Sequence, residues 1–301
     1  MCTPLFAVVS AALIAAGLAC ATPRAGAAAD DAGAKSALKP EVAALINQAT
    51  ATYKNLQSYQ HTAVMAAVGK GPQGDFRSEV TYTLALERPN KFAYRVDQLP
   101  EDAVPVSEAV CDGKTFFNYR LIEGHGKQYI KTPAPATYKE INIVDDVLFE
   151  PLATYVIALM LQGDALADKD VRAALEKATL RPNVMEGGKT WQVLVVPFGP
   201  NEAPYEFYFD SETHRLARAV TRPPRREGQR FYIESLTETV DNVRLNKPVD
   251  ASVFQYAPPE DAREVKKFST PGEQPPGTAR RDPRGGRAVR ALSSSGWPST
   301  G

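Results

Sequence analysis

Three histidines, His61, His125 and His214, and one cysteine beyond the leading segment, Cys111, are the side chains from which nucleophile-and-base chemistry would have to be built. A thiol becomes a useful nucleophile when an imidazole stands beside it. None of the three histidines belongs to a cysteine-enzyme motif, and Cys111 falls inside an alternating strand pattern, so it reads as a buried structural thiol. Alone, it closes no internal disulfide. His125 lies in the Gly-flanked turn around residues 123–126 and is expected to face solvent. Asp145, Asp146, Glu150 and Asp164 form an acidic set, but no histidine is near and the spacing fits no cation-binding loop. They read as helix-surface and capping charges. No nucleophile elbow, phosphate loop or zinc motif occurs. The sequence therefore predicts no enzyme, no metal site and no cofactor.

One charged constellation could do non-covalent work. Arg222, Arg225, Arg226 and Arg230 bracket Pro223-Pro224 in a loop between two strand patterns. Arginines so placed can contact an anionic membrane surface, each adding about 1 kcal/mol near the surface, although a solvated loop has the same composition. Globally, Lys+Arg and Asp+Glu are both 35, so no net field draws the chain toward nucleic acid.

The elements that must position any site are mostly strands. In Asp75–Asp97, Phe76, Val80, Tyr82, Leu84 and Leu86 alternate with Arg77, Glu79, Thr81, Thr83 and Glu87. Side chains alternate across a strand, so this is a strand with one apolar face. Arg88-Pro89-Asn90 interrupts it, and alternation resumes at Phe92, Tyr94 and Val96, which makes an antiparallel pair. Ser58–Val68 precedes it across a Gly- and Pro-containing loop, residues 69–74. Val106–Cys111 and Thr115–Arg120 flank Asp112-Gly113, a strong hairpin signal, and Lys127–Lys131 follows. Pro40–Leu56 carries Val42, Leu45, Ile46, Ala49 and Tyr53 at helical spacing, with Pro40 and Glu41 suited to its first turn. Helical spacing recurs over Tyr138–Leu161, interrupted at Pro151, and over Asp168–Ala178. Strands return at Lys189–Val196, apolar on both parities and so expected to be buried on both sides. They continue at Glu206–Asp210, Arg215–Arg222 and Arg230–Val240, with Asp250–Tyr256 as a closing strand or turn.

The two ends stand apart. Pro4–Ala19 is apolar, small-residue-rich and too short to span a bilayer comfortably, with Ala27-Ala28-Ala29 before Asp30. That is the form of an export signal over 1–29, with a spacer at 30–37. Leu18-Ala19-Cys20 offers a second outcome, acylation at Cys20. From Lys266 the chain is rich in Pro, Gly, Ser and Arg with few large apolar residues, so 266–301 reads as a disordered basic tail.

Leu86–Asp97 (LERPNKFAYRVD), Ala109–Tyr119 (AVCDGKTFFNY), Tyr205–Val220 (YEFYFDSETHRLARAV) and Asn246–Tyr256 (NKPVDASVFQY) together resemble the LolA/LolB-like superfamily of exported lipoprotein and lipid carriers, over about residues 58–258. Within it the chain looks closest to a branch of predicted periplasmic proteins. The resemblance implies an α+β fold over 38–265. Its core would be a strongly curved antiparallel sheet, an incomplete barrel, covered by the N-terminal helix and a central helical insertion. It implies a periplasmic location in a Gram-negative envelope, a lipid or acylated protein as partner, and a monomer. The expected lining of an apolar cavity is Val80, Tyr82, Leu84, Leu86, Phe92, Tyr94, Phe117, Tyr119, Leu152, Val156, Leu159, Trp191, Phe207 and Phe209. Such a surface buries acyl chains at about 0.8 kcal/mol per methylene. The same residues could instead fill a solid core, leaving an envelope protein-interaction module.

Overall fold

The computed structural model describes residues 38–98, 107–122, 124–143, 151–163, 169–197, 203–225 and 231–269, with Val147, Leu166 and Gln229. Helix α1 (Pro40–Tyr53) comes first, and its buried residues Val42, Leu45, Ile46, Ala49 and Tyr53 form one stripe. Two strands of equal length follow, β1 (Ser58–Gly71) and β2 (Gly74–Glu87), paired from Ser58↔Glu87 to Gly71↔Gly74. The expected loop at 69–74 shrinks to Pro72-Gln73. Gly69 is obligatory there, because a Cβ on it would sit 2.2 Å from the Tyr232 carbonyl oxygen. Strands β3 (Lys91–Gln98), β4 (Ser107–Cys111), β5 (Thr115–Ile122) and β6 (Gly126–Pro133) continue the meander. At the β4–β5 turn Asp112 Oδ1 accepts from the Lys114 and Thr115 amides, both at 2.7 Å, while Gly113 takes φ 94°.

The middle of the chain crosses the sheet. Tyr138–Glu140 is a single 3-10 turn and Ile143 is helical, while most of the rest of the helical spacing before Pro151 lies outside the described residues. Helix α2 (Leu152–Gln162) begins after Pro151, which stands at the N-cap, and ends at Gly163 with φ 85°. Helix α3 spans Lys169–Glu176. Then come β7 (Thr179–Leu180), β8 (Val184–Glu186), β9 (Lys189–Val196), β10 (Tyr205–Asp210), β11 (Leu216–Thr221) and β12 (Tyr232–Leu245). A 3-10 turn at Ala251–Phe254, capped by Asp250, and the short β13 (Arg263–Glu264) complete the described chain. The short β7, β8 and β13 carry no alternation long enough to be legible in advance.

Among the described residues these strands make one 13-stranded, curved, open sheet in the order β13-β6-β5-β4-β3-β2-β1-β12-β11-β10-β9-β7, with β8 also on β9. Neighbours pair antiparallel except β13 with β6. The inner face carries the main core, joined to α1, α2 and the linker residues Tyr138, Ile141, Ile143 and Val147. A small outer cluster, Ala85, Ala93, Val110 and Phe254, lies where the 251–254 turn crosses the other face. The α+β class and the open, curved sheet match the sequence expectation.

The β2–β3 turn clamps both helices. The Arg88 guanidinium donates to the carbonyls of Leu56 (2.8 Å), Lys54 (2.9 Å) and Leu161 (2.8 Å). Those carbonyls lie at or just past the C-terminal ends of α1 and α2, where a cation also complements the helix dipole. Arg88→Met keeps the stem but removes three charge-assisted bonds. It should lower the unfolding free energy by about 2–3 kcal/mol in urea titrations. A loss under about 0.5 kcal/mol would mean that water replaces the clamp.

Candidate functional site

The hairpin residues singled out by alternation do converge. Val80, Tyr82, Leu84, Leu86, Phe92 and Tyr94 share the inner face and are only 0–5% exposed. Cross-strand register explains the convergence: Leu84 faces His61 on β1 and Tyr94 on β3, and Leu86 faces Tyr59 and Phe92. Tyr82 and Tyr94 stack with centroids 5.8 Å apart. Phe207, Phe209 and Leu159 join the same cluster, and Leu152 and Val156 pack against it half-buried. Cys111 is a free, buried thiol on the same face, and burial pushes its pKa up. An inert structural thiol is what the sequence suggests, and the position agrees.

Three expected lining residues lie elsewhere. Phe116, not Phe117, enters the main core, because Cys111 pairs with Phe116 while Val110 on the outer face pairs with Phe117. Phe117 packs on Tyr256 at 5.7 Å, beneath the Lys131 amine. Tyr119 shares the outer parity with Phe117, opposite Glu108. On β9 it is Leu194 and Val196 that face inward, so Trp191 points outward, half-buried, with its indole N–H donating to the Glu186 carbonyl at 3.3 Å. Burial on both sides of β9 is realised at Val193 and Leu194, whereas Val195 is half-buried. His125 is half-buried in its turn rather than exposed, because the turn folds back on Ile122.

Over the inner face lies a feature that motif reasoning missed. Helix α2, LATYVIALMLQ, carries no charged residue and is held at its N-terminus by a carboxylate from β12. Glu238 Oε2 accepts the Ala153 amide at 2.6 Å, and Oε1 accepts both the Thr154 amide (2.8 Å) and the Thr154 hydroxyl (2.6 Å). Pro151 at the N-cap has no side-chain oxygen, so Glu238 supplies the cap from another element. The hydroxyl's proton is thereby committed to Glu238. His61 Nε2, 3.2 Å from Thr154 Oγ1, must therefore donate to it, and Nδ1 accepts from the Tyr59 hydroxyl at 2.9 Å. Tyr59 meets the Tyr53 ring edge-on at 5.6 Å, and the Tyr53 oxygen accepts the Leu216 amide at 3.1 Å.

This polar chain joins α1, β1, β11, α2 and β12 through the core. Burial drives the His61 pKa down to about 3, so the imidazole is neutral. Burial pushes Glu238 up to about 7, against the three donors that hold it down. Burial also raises Tyr53, Tyr59 and Tyr138 well above the phenol range. A hydroxyl, an imidazole and a carboxylate in contact invite comparison with a catalytic triad, yet the polarity is reversed. Here the imidazole donates to the hydroxyl instead of taking its proton. His61 and Thr154 are fully buried, and Glu238 is 4% exposed. The constellation is a latch between sheet and helix.

The basic loop has partners of its own. Arg222 Nη1 lies 3.3 Å from Glu206 Oε1, which Arg181 also contacts at 2.9 Å, and the Tyr208 hydroxyl donates to Glu206 Oε2 at 2.9 Å. The Arg225 guanidinium stands 4.5 Å over the Tyr232 ring. Arg226 and Arg230 lie outside the described residues. No group of metal-ligating side chains occurs among the described residues.

A family model described as "Predicted periplasmic protein (DUF2092)" matches residues 42–267. No curated protein matches the chain. Among solved structures, an uncharacterized conserved protein from Thermus thermophilus is 13% identical with a TM-score of 0.39, covering 75% of this chain and 98% of its own. The MucA/MucB complex of Pseudomonas aeruginosa matches at 15% identity and TM-score 0.37, over 72% of this chain and 61% of the other. A LolA superfamily protein from Nitrosomonas europaea matches at 8% identity and TM-score 0.30, over 71% of this chain and 97% of its own.

Proposed function

The chain belongs to the DUF2092 family of predicted periplasmic proteins, and on that footing we propose that it is a non-enzymatic periplasmic binder of an apolar ligand, a lipid or the acyl chains of a lipoprotein. The observation that carries this reading is α2: a helix without a charged residue, seated on an aromatic sheet face and fastened at its N-terminus by a polar latch. The buried Ala153 and Thr154 amides need an acceptor in any packing. Here it is a carboxylate from another element, expensive to desolvate and therefore a contact that can open while it fixes one closed position. Displacing α2, which packs on β11 and β12, would open the inner-face core that contains Leu84, Leu86, Phe92 and Phe207, an apolar surface worth about 25 cal/mol per Å² buried. Delivery to an anionic membrane would use Arg222, Arg225, Arg226 and Arg230.

The test combines two measurements. Organic extracts of protein purified from its native periplasm should contain a stoichiometric lipid by mass spectrometry. A fluorescent fatty acid should enter the wild type slowly and Glu238→Ala at least about tenfold faster, because loss of the latch raises the open population by a comparable factor. No bound lipid, together with no uptake by either protein, would sink the carrier reading. The second reading, an envelope protein-interaction module with a solid core, would then stand. It is favoured by one observation, the 0–5% exposure of the hairpin residues beneath the helices.

A further inference from the structure

Composition makes the chain after Lys266 a solvated tail, but its first residues are fastened to the sheet. After crossing the outer face the chain reaches the β6 edge, where Arg263 and Glu264 pair in parallel with Gln128 and Tyr129. The Val265 amide donates to the Tyr129 carbonyl at 2.9 Å. Three consecutive β6 residues then grip this strap by their side chains. Lys127 Nζ lies 2.9 Å from Asp261, and the Tyr129 hydroxyl donates to Glu264 at 3.1 Å. Gln128 engages Ser269 twice: Nε2 donates to the hydroxyl at 2.9 Å, and Oε1 accepts the amide at 3.1 Å. Arg120, the cross-strand partner of Gln128, lies 4.5 Å over the Phe268 ring.

The two sides of this contact differ. The acceptor belongs to the sheet: the β5–β6 ladder, paired along its whole length, holds Gln128 opposite Arg120, and with the strap in place Gln128 is 0% exposed. The strap is not built in. Asp261, Arg263, Glu264, Lys266 and Lys267 are exposed, and Val265, Phe268 and Ser269 are only half-buried. Its ion pair is at the surface, where such pairs contribute about 0–1 kcal/mol. Its backbone pairing is two residues long and parallel, the weaker ladder. A rigid, fully formed acceptor holding a weakly attached strand is the arrangement of strand addition, in which backbone bonds bind and side chains select.

We propose that the β6 edge is an acceptor for an extended peptide segment of a partner protein, with residues 261–269 as its occupant in cis. The occupant states the chemistry: carboxylates at two positions three apart for Lys127 and Tyr129, then an aromatic followed by a hydroxyl residue for Arg120 and Gln128. The site lies at the sheet edge and does not involve α2, so it goes beyond the ligand reading and does not depend on it.

The probe is a fluorescein-labelled peptide of residues 259–270, PEDAREVKKFST. Added to the full chain it competes with the tethered strap, whose effective concentration is on the order of millimolar. The full-length strap variant Asp261→Ala/Glu264→Ala/Phe268→Ala/Ser269→Ala should bind the peptide at least about tenfold more tightly than wild type. Adding Arg120→Ala and Gln128→Ala to that variant should return binding to the wild-type level or below. Equal binding by wild type and strap variant, or binding indifferent to the two acceptor substitutions, overturns the proposal. Hydrogen exchange on the unmodified protein tests it without any variant. The Val265 amide region should exchange at least about a hundredfold faster than the β5–β6 amides. Equal protection would make the strap part of the cooperative fold and overturn the proposal as well.

Discussion

Leu84→Ala should lower the unfolding free energy by about 3–5 kcal/mol, and Leu84→Trp should lose at least as much. Leu84 is fully buried between His61 and Tyr94 in register, in the cluster that α1 and α2 complete. Truncation leaves a cavity walled by strands that cannot collapse into it, because both neighbours are held by full-length pairing. Tryptophan adds volume where no water-sized space touches the leucine. Urea unfolding monitored by circular dichroism measures both variants. The result also bears on the ligand. A standing cavity would accept Leu84→Trp with a loss below about 1 kcal/mol, and would dispense with any movement of α2. A packed face requires that movement before a ligand enters.

The second large effect is a pair of opposite pH dependences hidden in the latch. Folded His61 resists protonation. Between about pH 6.5 and 3 the unfolded chain takes up a proton that the folded one refuses, so His61 makes stability fall as the pH falls. Glu238 acts the other way. Between pH 4.5 and about 7 the folded protein keeps a proton that the unfolded chain has released, so stability falls as the pH rises. Each slope approaches about 1.4 kcal/mol per pH unit, and in the overlap, from about 4.5 to 6.5, they cancel. Tyr53, Tyr59 and Thr154 face the pair from α1, β1 and α2, and neither the tyrosines, raised above the phenol range, nor the threonine titrates in this window. The Arg215 guanidinium stands near both tyrosines.

Single substitutions should uncover the slopes. Relative to wild type, Glu238→Gln should gain stability with rising pH from about 4.5 to 7, and His61→Phe should lose it from about 3 to 6.5. Each variant should also carry a constant loss of about 1–3 kcal/mol from unpaired buried donors and acceptors. Urea midpoints at half-unit pH steps measure both. Curves that run parallel to wild type, differing only by an offset, would show that neither group titrates within the latch. The same experiment reports on the α2 cap, since a protonated Glu238 accepts less well from the α2 amides and weakens it.

Local chemistry determined much of this protein in advance. Alternation over Asp75–Asp97 placed Val80, Tyr82, Leu84, Leu86, Phe92 and Tyr94 on one face, because a strand's period of two leaves no other choice once the neighbours are Arg, Glu and Thr. Asp112-Gly113 made its turn for the reason that dipeptide favours turns, a side-chain acceptor beside a residue tolerant of positive φ. Where both parities were apolar, sequence could not choose. Phe116 and Phe117 are chemically alike, and only the pairing with Cys111 and Val110 sent one inward and one outward. Trp191 went outward because Leu194 and Val196 met Phe207 and Tyr205 in register. The latch was the least legible part, since His61, Thr154 and Glu238 are brought together over separations of 93 and 84 residues. One trace was present: Glu238 stands on the parity of Leu236 and Val240, and His61 on that of Tyr59 and Ala63. A charge or imidazole on the apolar parity of a strand must find a partner when buried, and only the folded chain decides which. The strap at 261–269 was hidden for the complementary reason. Its residues are polar and bury little, so what holds them is the exposed edge they find, a property of the whole sheet and not of their own composition.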